Sequence, residues 1–340
     1  MQELRDRFER LIWDGDSKED AAQKLGYSAY RTVWRKLNTA GLEIREEEPN
    51  VSFDTLPPVD NISDLLARRK QQFLQKAAHE KARKLITVRV KDSGPIGILH
   101  LGDPHVDDDG TDIGLLEEHM KIVQKTQGLY VANVGDTTNN WIGRLARLYA
   151  QQSTSAAQAW LLAEWLFKEG RGKWLYIIGG NHDAWSGDAD PLKWIARQEK
   201  ALYQPSECRM RLLIPGAPGE IRINARHDFK GHSMWNPAHG PASATIKGVR
   251  DHIAICGHKH ISGLNMLKCP ETHIITHCIQ VASYKLIDRY AMEGGFKDQT
   301  ISPSVITLIN HNAKTPAGLV NVYHDIEQGV DILKYWRRKK

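Results

Sequence analysis

Five apolar runs in this chain each end in a short cluster of Asp, Asn, His and Gly, and no other feature constrains its fold as much. Ile96–Leu101 runs into Asp103-Pro-His105, Gly128–Val134 into Gly135-Asp136, and Trp174–Ile178 into Gly180-Asn181-His182-Asp183. Ile221–Ala225 leads to His227, and His252–Cys256 to Gly257-His258-Lys259-His260. Short apolar runs bounded by turn residues read as buried strands. Open α/β sheets place ligand sites just beyond the carboxyl ends of such strands. Metal-ligand side chains would be costly to bury unpaired, and stability alone gives no reason to gather them. The pattern therefore predicts an α/β domain with one site assembled from five strand ends.

In order, the clusters resemble the calcineurin-like metallophosphoesterases, whose pattern is D-x-H, G-D-x-x-D, G-N-H-D/E, a lone H, then G-H-x-H. The resemblance covers about residues 94–285. It implies a four-layer α/β/β/α sandwich and a centre of two divalent metal ions. Motif by motif, it gives one ion Asp103, His105, Asp136 and His260, and the other Asp136, Asn181, His227 and His258. One departure is visible: Asn139 stands where the family usually has a second Asp, a residue that is not normally a metal ligand.

The chemistry agrees with that assignment. A phosphodiester resists water because its anionic oxygens repel a nucleophile. Two metal ions about 3.5–4 Å apart would neutralise those oxygens, acidify a water and align it with the leaving group. Holding two cations together needs a bridging carboxylate, and Asp136 follows a buried strand and a glycine that permits a sharp turn. Mixed carboxylate, imidazole and amide ligands suit Mn²⁺, Fe or Zn²⁺ better than Ca²⁺; Mn²⁺ is the expectation. His182 is left to protonate the leaving group, with Asp183 expected to hold its imidazole in the useful tautomer.

Neighbouring residues read more plainly. Asp107-Asp-Asp109 is expected to be a solvated acidic run. His232 rivals His227 for the fourth motif, but His227 ends its strand directly and is preferred. Lys259 either touches phosphate or faces outward. Trp141, Trp185 and Trp235 could stack bases, whereas Trp160 and Trp165 lie in a helical pattern and read as core.

The first 48 residues read as a helical module of helix-turn-helix type. Leu4, Phe8, Leu11 and Ile12 share a helical face, Ser17–Gly26 forms a second helix, and Tyr30–Leu37 begins a basic third. Arg31, Arg35 and Lys36 would make the DNA contacts; the competing reading is a hairpin for docking or oligomerisation. Residues 49–84 are expected to hold a Pro-bearing linker and a basic helix, with Ser63 as its N-cap, and residues 85–340 the catalytic domain. Beyond Glu220 helices should be scarce. Chains pairing these two parts resemble metallophosphoesterases and repair-type exonucleases of bacteriophage and prophage genomes.

At 340 residues with a net charge of +5, the chain is long enough for two or three units and basic enough to permit a nucleic-acid partner. No apolar run is long enough to span a bilayer, and the N-terminus lacks a signal-peptide layout. Four cysteines without CxxC spacing read as reduced thiols, so a cytoplasmic protein is expected. The reaction expected is hydrolysis of phosphodiesters, DNA first among them. The alternatives are a phosphomonoesterase or cyclic-nucleotide phosphodiesterase, or a non-catalytic DNA-binding or scaffold protein.

Overall fold

The computed structural model describes residues 1–45, 61–185, 190–217, 219–287, 292, 295 and 298–339, with the side chain of Arg144 excepted. The expected linker over residues 50–58 lies outside them. Two compact units emerge, Met1–Gln72 and Phe73–Lys340.

In the first unit, α1 (Gln2–Trp13), α2 (Lys18–Lys24) and α3 (Tyr30–Thr39) enclose a small core. Phe8, Ala21, Ala22, Val33 and Leu37 are fully buried in it. The Ser17 hydroxyl accepts from the Asp20 amide at 3.1 Å and caps α2. Buried Glu9 is satisfied by Arg45, whose guanidinium lies 2.6 Å away. Arg31, Arg35 and Lys36 are exposed on α3, away from Val33 and Leu37. Helix α4 (Ile62–Arg83) crosses the division and buries no residue. Asn61 rather than Ser63 starts it, because the Asn61 side-chain oxygen accepts from the Ser63 amide at 2.9 Å.

The second unit is built on two six-stranded sheets. One has the order β12-β11-β2-β3-β4-β5, the other β1-β6-β7-β8-β10-β9. In the first, β2 (Ile96–Leu101), β3 (Leu129–Asn133), β4 (Trp174–Ile178) and β5 (Tyr203–Gln204) run parallel. Antiparallel β11 (Ser304–Ile309) and β12 (Val320–Tyr323) complete it. In the second, β7 (Ile221–Arg226), β8 (Ile253–Cys256) and β10 (Ile275–Gln280) are parallel. Around them lie β1 (Ile86–Arg89), β6 (Glu207–Leu213) and the edge strand β9 (Gly263–Lys268).

Side-chain alternation along β2 explains the layering. Ile96 and Ile98 point between the sheets and meet Met210, Ile223, Ile253 and Ile279. Leu99 and Leu101 point the other way, into a core with Leu116, Met120 and Val123 of α5 (Ile113–Lys125). Val330 and Leu333 of α10 (Ile326–Arg338) join that outer core. With both faces covered, β2 reads as a near-continuous apolar run. Helix α6 (Ala156–Glu169) also covers this sheet, packing with α8 (Pro191–Gln198) around Phe167 and Ile177. Helix α9 (His239–Lys247) packs on β8 and β10 outside the second sheet. The unit is thus an α/β/β/α sandwich.

Among the described residues beyond Glu220, two α-helices, α9 and α10, stand against six strands, β7 to β12, so helices are scarce there and short strands dominate, as expected. Helix α9 is rich in Gly, Pro, Ser and Thr and has little helical signal. No described helix is long and apolar enough to cross a membrane.

Candidate active site

The carboxyl ends of five strands, three from one sheet and two from the other, bring the strand-end clusters together. Asp103 and His105 follow β2, and Asp136 follows β3. Asn181, His182 and Asp183 form a single helical turn, α7 (Asn181–Ala184), after β4. His227 follows β7, and His258 and His260 follow β8. Eight described non-glycine residues have positive φ, and five of them are candidate ligands: Asp103 (20°), His105 (39°), Asp136 (46°), His258 (73°) and His260 (51°). L-residues rarely adopt this conformation, and such strain persists where the surroundings over-determine it. The glycines of the motifs allow the close approach. A β-carbon at Gly180 would collide with Asp136, and one at Gly257 with Asp103.

At the centre, lone pairs converge. His227 Nδ1 donates to the Val134 carbonyl at 3.0 Å, which leaves its Nε2 facing inward. That nitrogen lies 2.8 Å from Asn181 Oδ1, 3.1 Å from His258 Nδ1 and 3.2 Å from Asp136 Oδ2. Such atoms repel one another unless a cation, or a proton on His227 Nε2, sits among them. On the other side, His105 Nε2 and His182 Nε2 lie 4.0 and 3.9 Å from the same Asp136 oxygen. His260 Nε2 lies 3.4 Å from Asp103 Oδ2, and the His105 and His260 rings are 5.2 Å apart. Asp103 Oδ1 and His105 Nδ1 are buried without a hydrogen-bond partner.

Among the described residues, two groups could therefore hold a metal ion, His105-Asp136-His182 and Asp136-His227-His258, and Asp136 belongs to both. The donors fit the pair of divalent ions that the motifs suggest: a shared carboxylate, imidazole nitrogens and one amide oxygen. His182, expected to face substrate alone, also lies within ligand reach of the first group.

Electrostatics show the same need for positive charge. Burial pulls the His227 imidazole down, yet Asp136 and Asp103 outweigh it and push it up to about 10. Burial raises Asp136, but His227, His182 and His105 hold it well below the usual carboxylate range. Burial pushes Asp103 up to about 7. It lowers His105 and His258, the latter helped by His227.

Several expectations are corrected. Asp183 does not orient His182: its Oδ2 accepts from the Gly180 amide at 2.8 Å and caps its own turn. His182 Nδ1 instead meets the backbone carbonyl of Asn139 at 2.6 Å. As a carbonyl only accepts, Nδ1 carries the proton. Asp107–Asp109 is solvated only in part: Asp109 is exposed and Asp108 half-buried, but all three accept hydrogen bonds. Asp107 is buried and accepts from the Asn139 amide at 2.7 Å, Asp108 accepts from Asn139 Nδ2 at 2.8 Å, and Asp109 accepts from the Ser153 amide at 2.9 Å. The acids pin the loop after Asp136. Lys259 turns to the Gly231 carbonyl at 2.7 Å. His232 is exposed, whereas His227 is buried in the cluster. Sequence reading missed the supports from β10 and beyond. Gln280 donates to the Gly257 carbonyl at 2.5 Å and Ser283 to that of Asp103 at 2.7 Å. Isolated Gln and Ser residues carry no signal of such a role.

No family model matches the chain, and no curated protein matches it in sequence. Among solved structures, it is similar to NAD nucleotidase of Haemophilus influenzae, with a TM-score of 0.36 and 11% identity over 67% of this chain and 49% of that one. The chain thus spans about half the nucleotidase's length. It is also similar to a candidate diadenosine tetraphosphatase, with a TM-score of 0.28 and 12% identity over 70% of this chain and 96% of that one. Similarity this slight carries no activity over to this chain.

Proposed function

We propose that the protein is a metal-dependent hydrolase of phosphate esters, acting on phosphodiesters. The observation that carries this reading is the convergence of His227, Asn181, His258 and Asp136 donor atoms beside a second group sharing Asp136. Asp103, His105, Asp136 and His260 would hold one divalent ion, and Asp136, Asn181, His227 and His258 the other, with Mn²⁺ the first candidate. Bound there, the ions would neutralise phosphoryl oxygens and acidify a water. The chain's own residues do the rest. His182 is anchored through Nδ1, so its Nε2 is the nitrogen left to face the reacting ester, and with both ring nitrogens protonated the imidazolium gives its Nε2 proton to the leaving oxygen while Nδ1–H stays on the Asn139 carbonyl. The left-handed backbone and the hydrogen bonds from Ser283 to the Asp103 carbonyl and from Gln280 to the Gly257 carbonyl hold the donors ready before substrate arrives.

An Mn²⁺-supplemented panel of bis-p-nitrophenyl phosphate, p-nitrophenyl phosphate, cyclic nucleotides and single- and double-stranded DNA tests the reading. Diester hydrolysis that a chelator abolishes is expected. His182→Asn should lower kcat by about 10²–10⁴ on a poor leaving group and less on p-nitrophenolate. Absence of metal-dependent hydrolysis throughout the panel would refute the proposal.

Within the diesters, we read DNA as the substrate because α3 presents exposed Arg31, Arg35 and Lys36 beside half-exposed Trp34. A shallow cleft lined by Met1, Arg35, Lys36, Thr39 and Ala40 accompanies them.

A further inference from the structure

Two tryptophans beside His182 have no part in the chemistry described so far. The His182 and Trp185 rings lie 4.3 Å apart with a 39° tilt, and Trp141 meets the same imidazole at 5.1 Å. The two indoles are 6.2 Å apart and inclined by 35°. Both are half-buried, so each keeps surface toward solvent, unlike the fully buried Phe167 of the core.

Their positions are set before any ligand arrives. The Trp141 ring nitrogen donates to Gln152 Oε1 at 3.2 Å, an oxygen that also accepts from Asn139 Nδ2 at 3.2 Å. Gln152 Nε2 in turn donates to the Thr154 carbonyl at 3.0 Å. With its polar edge satisfied, Trp141 has only ring surface to offer. Asn140 Nδ2 donates to the His182 carbonyl at 2.7 Å, tying the Trp141 loop to the turn that precedes Trp185. Packing alone gives no reason to fix an indole by its edge at a solvent-facing position next to the reactive imidazole.

We propose that Trp141 and Trp185 form an aromatic subsite that takes the flat ring of an unpaired nucleobase, so that the substrate class is a nucleotide-bearing phosphate ester. This rests on the phosphoesterase reading, since the scissile phosphate must sit at the Asp136 centre. His182 spans the two places: its Nε2 lies 3.9 Å from Asp136 Oδ2 while its ring touches both indoles. A base one sugar away from the phosphate therefore meets the indoles. Every base has a π-face, so stacking binds it without reading its identity. Pre-fixed rings lose little conformational freedom on binding.

The test compares adenosine 5′-monophosphate, ribose 5-phosphate and inorganic phosphate by calorimetric titration of the full, Mn²⁺-loaded chain. The nucleotide should bind about tenfold or more tightly than ribose 5-phosphate, the usual worth of one stacked base. Trp141→Ala and Trp185→Ala should each shrink that ratio, and Trp141→Phe should keep most of it. Equal affinity for the nucleotide and the sugar phosphate would overturn the subsite while leaving the phosphoesterase reading intact. So would alanine variants that weaken all three ligands in parallel, because the rings would then only wall His182. Failure of phosphate itself to bind, together with no turnover of bis-p-nitrophenyl phosphate, would overturn both.

Discussion

Asp136 shows how one residue can hold a site together. Its Oδ1 accepts from the His182 amide at 3.0 Å, and its Oδ2 faces His227, His105 and His182. Asp136→Asn keeps the shape but removes the shared negative charge. Elemental analysis should find less than two equivalents of metal, and activity should fall with the metal. Thermal stability should also lose the increment that metal gives the native protein, because binding energy is linked to folding. Two equivalents retained would contradict the bridging role. A second residue-scale prediction concerns His100, buried between the sheets and held by Tyr176 Oη at 2.7 Å and Thr307 Oγ1 at 2.8 Å. Burial lowers its imidazole to about 3, against 6.5 for the unfolded chain. It therefore stays neutral in the fold. Its contribution is present above pH 6.5 and is lost as pH falls toward 3, since only the unfolded chain takes up the proton. In urea titrations, the stability gap between wild type and His100→Gln should narrow by about 1.4 kcal/mol per pH unit between pH 6 and 4. A gap that does not change with pH would show that His100 titrates alike in both states.

At the scale of elements, strands were legible and their supports were not. The runs ending in Asp103, Asp136, Asn181 and His258 announce themselves because β2, β3, β4 and β8 are almost wholly buried and turn residues stop them abruptly, and the run to His227 because β7 alternates buried and half-buried residues. The residues that would make metal contacts are recognisable for the same reason: each lies within a few residues of its strand. Asp183 misled because its effect depends on helical geometry, where a carboxylate at the third position reaches back to its own first turn. The role of Asp107 and Asp108 depends on a loop more than 30 positions away, which local sequence cannot reveal. That loop also accounts for Asn139. Its Nδ2 donates to Asp108 Oδ2 and Gln152 Oε1, so a carboxylate there would set acceptor against acceptor beside two acids. Asn139→Asp should destabilise the unit by about 1–3 kcal/mol. Adding Asp108→Asn supplies a donor again and should recover part of the loss, whereas additive effects in the double-mutant cycle would deny that the pair is coupled.

For the whole molecule, the question is what an all-α unit contributes to a chain whose candidate ligands all lie beyond residue 100. Unit 1 has its own core around Phe8, Val33 and Leu37, with its cations on the outer surface of α3. If α3 enters a DNA groove, Arg31, Arg35 and Lys36 contact phosphates, and each lost contact reduces the salt dependence of binding. The log–log slope should become shallower by about 0.9 per phosphate released. Replacing all three with Ala in the full chain should therefore weaken duplex binding strongly at low salt and flatten that slope by between one and three contacts. Hydrolysis of bis-p-nitrophenyl phosphate should stay at the wild-type rate, since no candidate ligand is altered. The docking reading predicts the reverse: unchanged affinity and slope, with a changed mass in light scattering. Fluorescence anisotropy on one duplex across a salt series, with light scattering on the same samples, separates the two. An unchanged slope would remove DNA from the role of α3, and the Asp136 centre would then have to select its substrate without that helix.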